Sequence, residues 1–357
     1  MTEKEILKAL MNVEDPDLKK DIVTLGMVRN LVIDGKKVSF TIVLTTPACP
    51  MKEMIQRASE NAVKLLVDKE AEVHITMSSE VTTLRDKHTI LPGVKNIVAV
   101  ASGKGGVGKS TVAVNLAIGL AQLGAKVGLL DGDIYGPSIP VMLGLEDAKP
   151  LLEDIDGRNV MVPIEKYGIK ILSIGFLVDR LQPVVWRGPM VSNAIRQFVN
   201  DVNWGDLDYL VIDLPPGTGD VHITIAQAAH VSGVVMVTTP QEVSLSDCRK
   251  AVNMFAMQGI NIPILGVVEN MSHFTPAELP QNKYYLFGKD GGKRIAEEFN
   301  LAFLGEVPIY QSIQEGGDTG NPAVLGTTPD SIALQSIAQN VAQQIAMLNA
   351  TPAPANA

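Results

Sequence analysis

The stretch GKGGVGKST, Gly103 to Thr111, constrains the chain more than any other, because it joins two segments of different periodicity. Before it runs NIVAVAS, apolar and β-branched as a buried strand is. After it runs VAVNLAIGLAQLG, whose apolar residues recur at helical spacing. A glycine-rich turn between strand and helix is the context in which Gly-x4-Gly-Lys-Ser holds phosphate. Gly103, Gly105, Gly106 and Gly108 leave room for phosphate oxygens, and the main-chain N–H groups from Gly103 through Val107 to Thr111 form a positive nest at the helix N-terminus. Lys109 is expected to bridge the β- and γ-phosphates and the Ser110 hydroxyl to be a Mg²⁺ ligand.

Two further strands end in carboxylates. KVGLLD closes on Asp131, with Asp133 just beyond, and DYLVID closes on Asp213. An apolar run with a terminal aspartate is the Walker B pattern, so Asp213 is expected to hold Mg²⁺ through water. The LPPGTGD that follows would let its backbone approach the γ-phosphate through Gly217 and Gly219. Asp131 and Asp133 are placed to touch Mg²⁺ or an attacking water. The other reading is that both cap the turn.

Composition narrows the partners. The 357 residues exceed one typical domain, and 46% hydrophobic residues supply an ample core. A net charge of −9 disfavours nucleic acid and anionic membranes. No apolar run reaches membrane-spanning length and the start lacks a secretory signal, so a cytoplasmic protein is expected. Cys49 and Cys248 are the only cysteines, too few for a disulfide framework.

The expected fold class is α/β: a P-loop NTPase with a mostly parallel sheet flanked by helices, preceded by a small α+β domain. Residues 1–85 read as that small domain in the order α-β-β-α-β, with a hairpin across Asp34-Gly35. Residues 86–95 read as a linker, 96–348 as the nucleotide-binding domain and 349–357 as a disordered Pro-rich tail. Within the second domain, 151–183 reads as a loop-rich insertion with one strand at IEKYGIKILSIGFL, and EGGDTGNPAVL as a loop. Cys248 falls in a helical pattern and reads as a small core residue.

GKGGVGKST, DGDIYGPS, RGPM, VIDLPPGTGD, TTPQEVSLSD, ENMSHF, LFGKDGGKR and EGGDTGNP occur in one order along the chain. In this the chain resembles the Mrp/ApbC family of iron–sulfur cluster carrier ATPases, from about Asn96 to Met347. Asp15-Pro16-Asp17, DIVTLGMV and TTPACPM resemble the iron–sulfur assembly domain that occurs alone or fused to ATPases. The resemblance implies ATP as the nucleotide and a deviant Walker A loop, whose Lys104 reaches the nucleotide of a facing subunit in a homodimer. It implies that Asp133 orients water and that Asn270 bonds the adenine edge, although asparagine also caps turns. It further implies a labile 4Fe-4S or 2Fe-2S cluster passed to apoprotein clients.

One departure bears on the cargo. The family usually carries a Cys-x-x-Cys pair after ENMSxF, and this chain has no cysteine from Asn270 onward. Cys49, at the expected N-terminus of a helix that would favour its thiolate, is the remaining candidate ligand; a half-buried structural thiol is the alternative. Three outcomes stay open: Cys49 from two subunits holds a cluster, the ATPase is a scaffold without its own, or it is a partner-regulating ATPase of the MinD/ParA kind. The closing helix QSIAQNVAQQIAML carries no lysine or arginine, which argues against membrane docking.

Overall fold

A computed structural model describes residues 1–351 apart from 86–90, 135, 156, 178–189, 191–193, 195–196 and 277. Part of the expected linker, most of the expected tail, Tyr135 of DIYGPS and the start of RGPM lie outside these residues. The chain divides into two compact units, Met1–Thr83 with the chain from Ala342 onward, and Leu84–Val341.

In the first unit, helix α1 (Glu3–Leu10) starts on a capping box in which Thr2 and Glu5 bond each other's backbone. A clasp of β1 (Glu14–Asp15) and β2 (Lys20–Asp21) precedes the antiparallel pair β3 (Val28–Asp34) and β4 (Lys37–Leu44), which turns at Gly35. Helix α2 (Lys52–Leu66) leads to β5 (Glu72–Ser79), parallel to β4. α2 buries Ile55, Ser59 and Val63, one face at a spacing of four, against a core containing Ile6, Leu10, Phe40 and Ile42.

The second unit is wound on β6 (Val94–Ala101), α3 (Lys109–Gln122), β7 (Val127–Asp131) and the short α4 (Ile139–Met142). The hairpin β8 (Leu151–Ile155) with β9 (Arg158–Val162) follows, then β10 (Ile164–Lys166), β11 (Ile169–Ser173) and β12 (Leu207–Asp213). Next come α5 (Asp220–Ala229), β13 (Gly233–Thr238), α6 (Glu242–Ala256), β14 (Ile264–Phe274), α7 (Gly291–Glu298), β15 (Phe303–Ile309) and α8 (Gln311–Thr319). Helix α9 (Pro329–Ala350) closes the described chain.

Eight strands form one sheet in the order β10-β11-β7-β12-β6-β13-β14-β15. All pairs are parallel except β10 with β11. The central strands β7, β6 and β13 are buried almost throughout, which is why they read as continuous apolar runs rather than alternating ones. From β6 the chain goes to one side to reach β7 and later to the other to reach β13. A sheet that switches direction in this way leaves a crevice at the carboxyl ends of its central strands. α3 is buried from Val112 to Leu120 because it is sandwiched against the sheet under a 3₁₀ turn at Ala323–Leu325. Asn115 inside it is satisfied by the Thr111 carbonyl at 2.8 Å and the Val324 N–H at 2.9 Å.

The structure corrects the sequence reading in several places. IEKYGIKIL is a hairpin, not one strand, since Tyr167 and Gly168 both take positive φ (53° and 77°), as a two-residue hairpin loop demands. The insertion before it carries the β8–β9 hairpin, whose Leu151, Leu152 and Ile155 are exposed. EGGDT is the end of helix α8 rather than loop; Gly316 is tolerated inside it because a side chain there would meet the Asn321 carbonyl, and Gly320 ends it in a left-handed turn. α5 was not expected at all, as HITIAQAA lacks a polar stripe. No helix among the described residues is long and apolar enough to cross a membrane.

Gly266 is forced by close approach of β14 to β15, where an added Cβ would run into the Ala302 carbonyl oxygen. Gly266→Ala should therefore lower stability by about 1–3 kcal/mol, the usual cost of overpacking against backbone that cannot yield. Urea unfolding reads this directly, and a loss under about 0.5 kcal/mol, within the range of inert surface changes, would refute the assigned contact.

Candidate functional site

The site follows from strand register. Asp213 pairs with Asp131 on one side and Val100 on the other, so β7, β12 and β6 end at one level. The glycine-rich loop leaves β6 there. Lys109, first residue of α3, places Nζ 2.6 Å from Asp213 Oδ1, and the Ser110 hydroxyl donates to Asp213 Oδ2 at 2.6 Å. Lys109 is 6% and Asp213 0% exposed, so the pair is a buried one. Its neighbours line a cavity of about 290 Å³ that includes Lys104, Lys109, Ser110, Asp133 and Pro216.

The loop's shape is set from outside. Gly108 caps α3 in the left-handed region (φ 81°), where a Cβ would collide with the Asn270 amide. Asn270, at 6% exposure on β14, donates from Nδ2 to the Val107 carbonyl at 2.8 Å. Asn270 thus braces the loop, a role that the sequence did not disclose. A side chain at Gly103 would strike the Asp247 carbonyl of α6, which explains that glycine by packing as well as by phosphate access. Lys104 is exposed at the cavity rim, with its carbonyl held by Ser102 Oγ at 3.0 Å.

The carboxylates differ sharply in environment. Asp131 is fully buried; Ser173 Oγ donates to it at 2.8 Å and the Asp133 N–H at 3.2 Å, so it does cap the turn. Burial, followed by repulsion from Asp213, pushes its carboxyl up to about 8. Burial also raises Asp213, and the Lys109 ammonium is the largest pull the other way. Asp133 lies on the cavity side of the turn. For a hard divalent cation the Ser110 hydroxyl and Asp213 carboxylate, now bonded to each other, supply oxygen donors of the right class. Sequence reasoning missed His222, buried at 2% on α5 with both ring nitrogens facing carbonyls of the PPGTGD loop. No motif marks it; only the loop's return on itself brings it in.

Cys49 departs from expectation. Burial raises its thiol most, the Met51 N–H lowers it, and Asp15 and Asp17 raise it further. The helix begins at Lys52, and Cys49 packs against the first unit's core, so desolvation outweighs the helix terminus. Cys248 is wholly buried, pushed up to about 12 by desolvation. Where the thiol pair was sought, Phe274 and Tyr284 bond each other's backbones at 2.8 Å and close a loop that carries no cysteine. Among the described residues no group of three or more His, Cys, Asp or Glu is gathered as a metal site.

Residues 93–346 match the family described as NUBPL iron-transfer P-loop NTPase, and residues 3–75 match the iron–sulfur cluster assembly protein family. A Synechocystis protein named iron-sulfur cluster carrier protein is 49% identical over 352 residues, covering 97% of this chain and 99% of that protein. One of the same name from Deinococcus radiodurans is 43% identical, covering 98% and 97%. A nucleotide-binding protein from Archaeoglobus fulgidus, solved with ADP, aligns with a TM-score of 0.57 and 39% identity over 65% of this chain and 89% of its own.

Two solution properties follow. Asp131 keeps its proton in the folded chain to about pH 8, whereas an unfolded aspartate loses it near pH 4 (~3.9). The folded state binds more protons in that window, so stability falls there by about 1.4 kcal/mol per pH unit and levels off above it. Asp131→Asn should remove this contribution and leave the variant more stable than wild type at neutral pH; thermal melts at several pH values with unchanged relative slopes would contradict it. The raised Cys49 thiol should alkylate with iodoacetamide more slowly at neutral pH than a free cysteine, catching up under alkaline conditions. Faster alkylation would mean that the helix terminus prevails.

Proposed function

The chain belongs to the iron-transfer P-loop NTPase family, and from that premise we propose that it is an ATP-hydrolysing carrier of iron–sulfur clusters, working as a homodimer. The observation that carries the nucleotide half is the convergence of Lys109, Ser110 and Asp213 in one buried cluster at the phosphate loop. The carrier half is supported by the names of the relatives, which span both units of the chain.

Phosphoryl transfer to water needs positioning and charge stabilisation more than covalent chemistry. The N–H groups from Gly103 to Thr111 cradle the phosphates. Lys109 exchanges its bond to Asp213 for the β- and γ-phosphate oxygens. That exchange frees Asp213 and Ser110 to hold Mg²⁺, which neutralises charge on the phosphates when bound. Asp133 orients the attacking water from across the cavity. Lys104, exposed at the rim, is free to reach the phosphates of a facing subunit, and Asn270 keeps one amide function for the base. Loss of the terminal phosphate releases the PPGTGD loop, changing dimer geometry and client access.

A second reading has its own observation. Cys248 is inert and Cys49 is the sole other thiol, so two subunits offer two thiolates where four suit a cluster. Cys49 of both subunits with an exogenous thiol would complete the set. Otherwise the protein acts as an ATP-driven assembly scaffold whose client supplies the ligands.

Lys109→Ala should reduce ATP turnover by about 100-fold or more, as loss of a transition-state donor does. Lys104→Ala should do likewise, yet mixing the two inactive variants should restore part of the activity, because one site in a mixed dimer has both lysines. Absence of complementation would remove Lys104 from the facing site. Anaerobic reconstitution with iron and sulfide, followed by transfer to an apoprotein, tests the cargo. Wild type should acquire and pass a cluster and Cys49→Ala should not; acquisition by neither favours the scaffold.

A further inference from the structure

His222 stands three residues into the helix that follows the PPGTGD loop and is 2% exposed. Its Nε2 lies 2.9 Å from the Pro215 carbonyl oxygen and its Nδ1 lies 3.2 Å from that of Gly219. The Gly219 oxygen already accepts the His222 main-chain N–H at 3.1 Å. Among the described residues no main-chain N–H bonds the Pro215 carbonyl, and Pro215 is itself buried. The consistent tautomer therefore carries its proton on Nε2 and spends it on the Pro215 carbonyl. Burial holds the imidazole below its ordinary range, in keeping with the neutral form; the contacts with the Gly219 and Pro215 carbonyls pull the other way, and the smaller effects of Lys109 and Asp133 oppose each other.

What this bond fixes is the loop between Asp213 and α5. At its near end the Leu214 N–H bonds the Val100 carbonyl at 3.0 Å, and in its middle the Gly217 N–H bonds the Ser102 carbonyl at 3.0 Å. His222 supplies the third point. Between these points Pro216 projects into the nucleotide cavity beside Gly105. The imidazole also meets the Phe255 ring of α6 edge-on, with centroids 6.3 Å apart, and α6 is the helix on which Gly103 rests. One side chain thus joins the loop after Asp213 to the element supporting the start of the phosphate loop.

We infer that His222 is a positioning residue that latches the Pro215 carbonyl and so sets the PPGTGD loop in register for the terminal phosphate. The inference rests on the proposed ATPase reading for its consequence in turnover, but not for the latch itself. ADP lacks the phosphate that the loop faces, so loss of the latch should slow hydrolysis and spare ADP binding.

The test compares wild type, His222→Leu, which keeps bulk and removes the donor, and His222→Gln, which retains one. Hydrogen exchange of the peptide containing Gly217 should quicken about tenfold in the leucine variant, the weight of one hydrogen bond. Its kcat should fall by a similar factor with KM and ADP affinity within about twofold, and glutamine should recover most of both effects. Wild-type exchange and turnover in His222→Leu would overturn the latch. So would equal loss of turnover and ADP affinity in both variants, which marks a ring that merely fills space. If wild type itself hydrolyses no ATP, the ATPase reading falls while the exchange comparison still decides the latch.

Discussion

The buried contact between Lys109, Ser110 and Asp213 is the interaction on which the rest of the second unit depends. A lysine and an aspartate this far from water are stable only because each satisfies the other, and removing one partner leaves an uncompensated charge. The same contact makes the site ready for exchange. On the proposed reading, phosphate oxygens would take over the lysine and a divalent cation the serine and aspartate, so that an incoming nucleotide would replace one satisfied arrangement with another.

Parallel register turns that pair into a site. Asp131, Asp213 and the end of β6 lie side by side because three buried strands end at one level, not because any loop gathers them. Burial first, and then repulsion from the carboxylate one strand away, leads Asp131 to keep its proton. A protonated carboxyl in the core costs stability when the unfolded chain is ionised. Its retention beside the phosphate loop fits the wider tendency of functional sites to be held at some expense to the fold. Asn270 and Gly103 complete the frame, bracing the loop from β14 and α6.

Much of this was legible in the sequence because the elements that build the site are its most regular ones. Buried parallel strands such as VGLLD and DYLVID announce themselves as apolar runs, and the glycine pattern of residues 103–108 has few other uses. What stayed hidden depended on contacts between distant segments. His222 and Ser173 carry no motif, and nothing local in ENMSHF discloses that Asn270 also bonds the Val107 carbonyl. Local signals also misled where tertiary packing overrode them. EGGDT reads as a breaker yet ends a helix, since Gly316 sits where no side chain fits. Cys49 reads as a helix-terminus thiolate yet is pushed the other way by desolvation.

The first unit and the missing thiol pair leave the cargo question on Cys49, while the nucleotide half stands on the exchange at Asp213. Isothermal titration of ADP with and without Mg²⁺ tests that exchange most directly, using wild type and Asp213→Asn. Wild type should bind ADP more tightly when Mg²⁺ is present, and the asparagine variant should lose that difference while still binding the nucleotide. An Asp213→Asn protein with the full wild-type Mg²⁺ enhancement would contradict the account.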